Sequence, residues 1–256
     1  MSVTSQTAHN ALVVDQFTRQ AVPFSRLASH TDDLLLSMTG VTAADTVLDV
    51  ACGPGMVACL FAAHAAHVTG IDLTPAMIEQ AGRLVEKRGL ANVTLRTGDV
   101  RNLPFPDAAF SLVISRYAFH HFPDPATVLG EMVRVCRPGG RVMIADAALS
   151  PDKADAFNQM ERLRDPSHAR ALTTSEWAEL WEQAGFQNVR ARPTRLELTL
   201  ASLMSASFPG PDDREKVREI FRSNLETDTL GMDVHLRDAV IHLAYPVLIM
   251  VGQKAG

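Results

Sequence analysis

Two carboxylates separated by a loop of small residues are the part of this chain best suited to chemistry. Val47-Leu48-Asp49-Val50 is an apolar run carrying an acidic residue, Ala51-Cys52-Gly53-Pro54-Gly55 is a loop of mostly small residues, and Met56-Val57-Ala58 opens a helical pattern. A second apolar run closes at Gly70-Ile71-Asp72. A strand that stops at Asp49 carries a carboxylate to the carboxyl edge of a sheet, where open α/β folds bind ligands. Ala51, Gly53 and Gly55 let the backbone approach a ligand closely, and glycine reaches conformations closed to larger residues. Asp72, about 20 residues downstream, stands where an acidic side chain meets the hydroxyls of a ribose. These residues describe a nucleoside site, and Asp49 bears on which nucleoside. A carboxylate beside the loop repels the pyrophosphate that a Gly-x-Gly-x-x-Gly/Ala turn holds at a helix N-terminus. It suits the ammonium of an amino-acid moiety.

The next acidic strand end is Arg96-Thr97-Gly98-Asp99-Val100, followed by the turn and strand Pro104-Phe105-Pro106-Asp107-Ala108-Ala109-Phe110-Ser111-Leu112-Val113-Ile114-Ser115. In Arg137-Pro138-Gly139-Gly140, proline stops a helix and glycine supplies the positive φ of a tight turn. With the Asp49–Gly55 loop, these motifs resemble the class I S-adenosylmethionine-dependent methyltransferases in order and spacing over roughly residues 41–150, with Ala51 where that family often has its first glycine. Tyr245-Pro246-Val247-Leu248-Ile249-Met250-Val251-Gly252-Gln253-Lys254 is similar to the family's last strand. Within the class, the chain looks most like the small-molecule branch that includes the ubiquinone and menaquinone C-methyltransferases. The resemblance implies S-adenosyl-L-methionine as cofactor, S-adenosyl-L-homocysteine as product, and Asp99 as acceptor for the adenine amino group, with Val100 beside it. The expected cofactor set is therefore Asp49, Ala51, Cys52, Gly53, Gly55, Asp72, Asp99, Val100 and Ser115. Leu73 and Met77 join it as adenine-lining residues, or else pack helix to sheet. Phe17 joins it as the aromatic of an N-terminal helical cap.

Ser115-Arg116-Tyr117-Ala118-Phe119-His120-His121-Phe122 leaves the carboxyl end of the fourth strand, where a transferred methyl would face its acceptor. His120 is the candidate catalytic base, because imidazole has the side-chain pKa nearest neutrality. The competing reading has the histidine pair only packing or orienting the loop, with His121 the more structural of the two. Arg116, Tyr117 and Phe119, Asp146 at the end of the fifth strand, and Arg164, Asp165 and His168 in the next connection are candidate acceptor contacts. A solvated helix end with an Asp165-Pro166 turn is the alternative for the last three. Tyr117, Phe119, Phe157 and Trp177 suit an aromatic or apolar metabolite if they face the pocket. The Asn/Asp-Pro-Pro-aromatic motif of base-modifying methyltransferases is absent here. His64 and His67 share a junction, but no cysteine or carboxylate cluster completes a metal site, so no metal is expected.

Positioning these groups requires alternating strands and helices. Strands are predicted at 46–50, 67–71, 92–97, 110–115 and 140–146, with helices at 55–65, 75–89 and 125–136 and a helical piece near 107. That alternation predicts an α/β fold: a doubly wound, mostly parallel, seven-stranded Rossmann-like sheet with an antiparallel last strand. Before it, ten mobile residues precede helices at Ala11–Ala21 and Ser25–Thr39, which form the cap. After it come helices at Ala154–Arg164, from a Thr174 cap to Ala184, and at Asp212–Glu226, with strands at Val189–Leu200 and Ala244–Gly252. The segment 201–243 is longer than a hairpin needs and is expected to shape a substrate pocket, the alternative being surface decoration. One domain spans 1–256: cap 1–40, cofactor half 41–150 and substrate-side half 151–256. A chain of 256 residues buries a core without disulfides. A net charge of −5 and a pI near 6.0 argue against a polyanion-binding surface. Three cysteines without metal spacing, no signal peptide and no apolar run of membrane-spanning length suit a cytoplasmic protein, monomer or homodimer. The expected reaction is methyl transfer to a small-molecule acceptor. An NAD(P)-dependent oxidoreductase and a non-catalytic S-adenosylmethionine-binding regulator are the alternatives.

Overall fold

The computed structural model describes residues 3–24 and 32–256. Five strands build the parallel part of the sheet: β1 (Thr46–Val50), β2 (His67–Asp72), β3 (Val93–Thr97), β4 (Phe110–Arg116) and β5 (Cys136–Leu149). β6 (Leu172–Thr173) pairs with the end of β5, while β7 (Gln187–Thr199), β8 (His235–Arg237) and β9 (Val240–Gln253) complete the set. The main path runs β3-β2-β1-β4-β5-β9-β7, with β8 on β9. β9 inserts antiparallel between β5 and β7. This is the mostly parallel seven-stranded sheet expected from the sequence, with two short strands added.

Alternation along the strands decides the two faces. Leu48 and Val50, Val113, Val142 and Ile144 point into one cluster; Val47, Leu112, Ile114, Met143 and Ala145 point into the other. The first face is covered by α5 (Pro125–Val135) and α7 (Thr174–Gln183), whose Leu129, Met132, Trp177 and Trp181 are buried there. The second is covered by α2 (Asp32–Thr39) and α3 (Met56–Ala62) through Leu35 and Phe61, while α4 (Pro75–Lys87) follows β2 with Pro75 at its start. β5 runs past the sheet, so Ala147 and Leu149 reach a third cluster with α6 (Ala154–Arg164), α8 (Leu200–Ser205) and α9 (Asp213–Thr227). α9 carries exposed ion pairs such as Lys216–Asp213, yet Val217 and Phe221 are fully buried, so it is amphipathic.

The N-terminus departs most from expectation. One helix, α1, runs from Val3 to Phe24, through Pro23, where ten mobile residues and a shorter helix were expected. The predicted start of the second helix, residues 25–31, lies outside the described residues. The segment near 107 is a turn, with Ala108 at φ 58°. Thr173 caps α7 in place of Thr174, sharing a capping box with Glu176. At the Arg137–Gly140 turn, Gly139 has φ +71°. A Cβ on Gly140 would lie 2.7 Å from Cys136 Sγ.

Candidate active site

Two clefts of about 1000 and 980 Å3, mouths included, open over the carboxyl ends of the parallel strands. They share Phe17, Met56, Arg116, Tyr117 and His121 as a common wall.

The first chamber lies beside the β1 and β2 loops. Asp49 borders it while 1% exposed, and its Oδ2 has no hydrogen-bond partner. Burial pushes the carboxyl up to about 7; nearby Arg116 opposes that shift and Asp72 adds to it. Ala51 takes φ 56°, the conformation the small-residue loop requires, and Gly55 has φ +82° with Ala81 Cβ only 2.8 Å from where its own Cβ would stand. The loop thus lies directly on α4. Asp72 is buried and organises the loop: Oδ2 accepts from Gly53 N at 2.9 Å and Oδ1 from Thr74 N at 2.8 Å. Each oxygen keeps a lone pair. Cys52, Gly53, Leu73, Met77 and Val100 all line this chamber.

Asp99 lines it too, but not as a free acceptor. Oδ1 accepts from the Arg101 backbone N–H and Nε, and Oδ2 accepts from the Arg101 guanidinium and from Asn10 Nδ2 at 3.2 Å. Those four bonds use the capacity of a carboxylate. Partial burial raises its pKa, but the bonds from Arg101 outweigh that and hold it below the ordinary value. Ser115 lies outside both clefts, with its hydroxyl donating to the Val50 carbonyl at 2.9 Å to tie β4 to β1.

The second chamber lies over β5, β7 and β9. His120 borders it, with Nδ1 held by Asp146 Oδ1 at 2.7 Å. Asp146 also accepts from Phe119 N at 2.8 Å and Ala147 N at 2.7 Å. It is 1% exposed and lines neither cleft, so it holds His120 and not an acceptor. Burial alone would lower His120, but the Asp146 carboxylate outweighs it and leaves the pKa raised. His121 is driven down to about 4 by burial and by neighbouring His120; its Nδ1 faces the Ser167 carbonyl at 3.1 Å. Phe119 was expected to contact the acceptor, and Trp177 to suit it if it faced the pocket. They instead pack against each other, ring centroids 5.5 Å apart and planes tilted by 52°, in the core beneath the sheet. Hydrophobic burial outbids a pocket position when the backbone turns that side of the loop inward.

Arg116, Tyr117, Arg164 and His168 do line the second chamber. Tyr117 has φ 56°, uncommon for a bulky residue, with its N–H donating to the Ala145 carbonyl at 2.8 Å. Arg164 is spent on Glu161, with Nε 3.0 Å from Oε1, and donates to Ser207 Oγ at 2.9 Å. Glu161 also accepts from Tyr245 OH at 2.6 Å. Neither Glu161 nor Tyr245 was singled out from the sequence as a site residue. The three-residue spacing of Glu161 and Arg164 on one helix was the available signal. Gln6, His9 and Asn10 of α1, which line the first chamber, were also missed.

The methyltransferase-domain family matches residues 48–144, the stretch that carries the first chamber's β-strand ends. A demethylmenaquinone methyltransferase of Listeria monocytogenes is 31% identical over 167 residues, covering 56% of this chain and 70% of that protein. The chain belongs to the methyltransferase family. The uncharacterized methyltransferase YcgJ of Bacillus subtilis is 34% identical to this family member over 161 residues, 61% of this chain and 64% of YcgJ. The YcgJ crystal structure superposes with a TM-score of 0.80 at 26% identity, covering 89% of this chain and 99% of that one. The 27-O-demethylrifamycin SV methyltransferase of Amycolatopsis mediterranei is 36% identical over 135 residues, 52% of this chain and 50% of that protein. The chain thus spans between half and just under two thirds of YcgJ and of the rifamycin enzyme. No helix among the described residues is long and apolar enough to cross a membrane.

Proposed function

We propose that this chain transfers a methyl group from S-adenosylmethionine to a small-molecule acceptor, with the donor in the first chamber and the acceptor in the second. The observation that carries the reading is Asp49 Oδ2: a buried carboxylate oxygen without a partner, bordering a cleft. An isolated buried carboxylate is costly until a cation meets it. The ammonium of the cofactor's amino-acid part is such a cation, whereas the pyrophosphate of a dinucleotide would be repelled. The remaining lone pairs of Asp72 suit the ribose hydroxyls, and Leu73, Met77 and Val100 suit a flat apolar base. The adenine amino group takes the place on Asp99 that the Asn10 amide now fills. Residues 1–40 act as a cap, 41–150 as the cofactor half and 151–256 as the acceptor side.

When bound, the cofactor supplies an already activated sulfonium methyl, so the protein's task is orientation and exclusion of water. Phe17, Met56 and Tyr117 form the apolar wall across which the two molecules meet. Asp146 accepts the His120 Nδ1–H, which leaves Nε2 to take a proton from an acceptor hydroxyl or amine. Phe157, Leu196, Leu198 and Val247 give the acceptor an apolar bed. Two relatives, a demethylmenaquinone and a 27-O-demethylrifamycin SV methyltransferase, are named for small-molecule substrates and so favour the same acceptor class.

Calorimetry with S-adenosylhomocysteine tests the reading. Binding to the unaltered protein, reduced at least about tenfold by Asp49→Asn through loss of one charge-assisted bond, is the expected result. Binding of NAD(H) or NADP(H) in its place would overturn it.

A further inference from the structure

One residue in the lining of the second chamber has a buried polar atom that its neighbours leave over. His168 is 4% exposed and borders the chamber, and its Nδ1 has no hydrogen-bond partner. The other ring nitrogen is fixed. Nε2 lies 2.7 Å from Asn158 Oδ1, too short for a ring carbon in that place. The Asn158 amide cannot be turned over, because its Nδ2 donates to the Ala154 and Ala171 carbonyls at 2.9 and 3.1 Å, and its Oδ1 accepts from the Ala171 N–H at 2.7 Å. Asn158 therefore offers His168 only an acceptor, and the proton of the neutral imidazole must sit on Nε2. Nδ1 is left with a bare lone pair.

The surroundings keep the ring neutral. Burial pushes its pKa down to about 3; His120, His121 and Arg164 act in the same direction, and the Glu161 carboxylate opposes them. The other ionic groups of the chamber are occupied. Glu161 is engaged by Arg164 and Tyr245, Asp165 by Ser167 and Gln20, His120 by Asp146, and Arg116 by Asp32 at 3.4 Å.

We infer that His168 Nδ1 is a specificity-determining hydrogen-bond acceptor, which selects among apolar molecules for one carrying a hydroxyl or N–H at that point. The inference rests on the second chamber being the acceptor site and deepens that reading. A group able only to accept gains nothing at His168 Nδ1, and a purely apolar face leaves the lone pair buried and unmet. The class of ligand is thus a hydroxylated or N–H-bearing aromatic or aliphatic compound. A charged one has no free counter-ion among the groups just named.

Nitrogen NMR of the histidine rings, on protein saturated with S-adenosylhomocysteine, tests the inference, with 1-naphthol and naphthalene as probes. The expected result is an unprotonated Nδ1 signal for His168 at neutral pH. That signal should move when 1-naphthol is added and stay in place with naphthalene, with roughly tenfold tighter binding of the naphthol. His168→Phe, which keeps a flat ring, should erase the preference between the two probes. His168→Gln, which retains an acceptor oxygen, should restore part of it. A proton on Nδ1, a signal that neither probe moves, or an equal response to both overturns the inference. Failure of S-adenosylhomocysteine to bind at all would instead overturn the broader reading of the first chamber.

Discussion

At the scale of single residues, two buried carboxylates, Asp49 and Asp146, have opposite surroundings. Asp49 has burial raising it to about 7, with nearby Asp72 adding to the shift against Arg116. Folding therefore disfavours its ionised form, and its contribution to stability is present at acid pH and lost as pH rises through about 7. A cationic ligand reverses the balance. S-adenosylhomocysteine affinity should accordingly fall by about tenfold between pH 8 and pH 6, as Asp49 takes up a proton, and should be flat in Asp49→Asn. Calorimetry at both pH values reads this directly. Asp146 is the contrary case: burial raises it, but His120 and two backbone N–H groups outweigh that and leave it lowered. Its partner His120 is raised above 6.5, so the stability it contributes is complete below 6.5 and is lost as pH climbs through the raised value. Replacing Asp146 by Asn should bring the His120 titration below 6.5, because burial, aided by Arg164, then outweighs Glu161, the remaining group that raises it; proton NMR of the ring checks it.

At the scale of elements, α1 joins the two chambers. Its Asn10 donates to Asp99, its His9 Nε2 donates to the His121 carbonyl at 2.8 Å, and its Gln20 donates to Asp165 at 3.0 Å. Deleting residues 1–22 should weaken S-adenosylhomocysteine binding at least about tenfold, since Gln6, His9, Asn10, Val13 and Phe17 line the first chamber. Unchanged calorimetric affinity would remove α1 from the site. The same helix face explains why its first turns escaped sequence reading. Gln6, His9 and Asn10 line the cleft but are polar themselves, so they carry none of the apolar periodicity that announces a helix. The parallel strands were legible because Val47, Leu48, Val113 and Ile144 are buried on both faces of the sheet. Phe119 and Trp177 were misplaced for a related reason, since an aromatic side chain reads alike in a pocket wall and in a core. Which side the loop after β4 turns inward is set by Asp146 binding the Phe119 N–H, a tertiary contact.

At the scale of the whole molecule, a bonded acidic network lies at the amino end of the sheet, and two unpartnered buried polar atoms belong to residues that border the clefts at its carboxyl end. At the amino end, Asp45 accepts from Ser111 Oγ at 2.6 Å, from Thr42 N at 2.8 Å and from Arg141, which also donates to the Thr39 and Gly40 carbonyls. At the carboxyl end, Asp49 Oδ2 and His168 Nδ1 are left over. Burial raises Asp45, but bonds from Arg141, Ser111 and Thr42 outweigh it and take the pKa down to about 2. The stability Asp45 contributes is therefore present above the ordinary carboxylate value and lost as pH falls from about 4 toward 2. Asp45→Asn should cost about 1–3 kcal/mol at pH 7 in denaturant melts, a difference that shrinks over that acid window.

The three imidazoles of His120, His121 and His168 lie within 6.4 Å of one another, centre to centre. Two of them stay neutral down to about pH 4 and 3, and only His120 is raised. Across the neutral range the trio therefore offers the proposed reaction a one-proton reservoir with a fixed address. A proton shed by a bound molecule has one imidazole to go to, beside Asp146, and must leave from that same ring before the next can arrive.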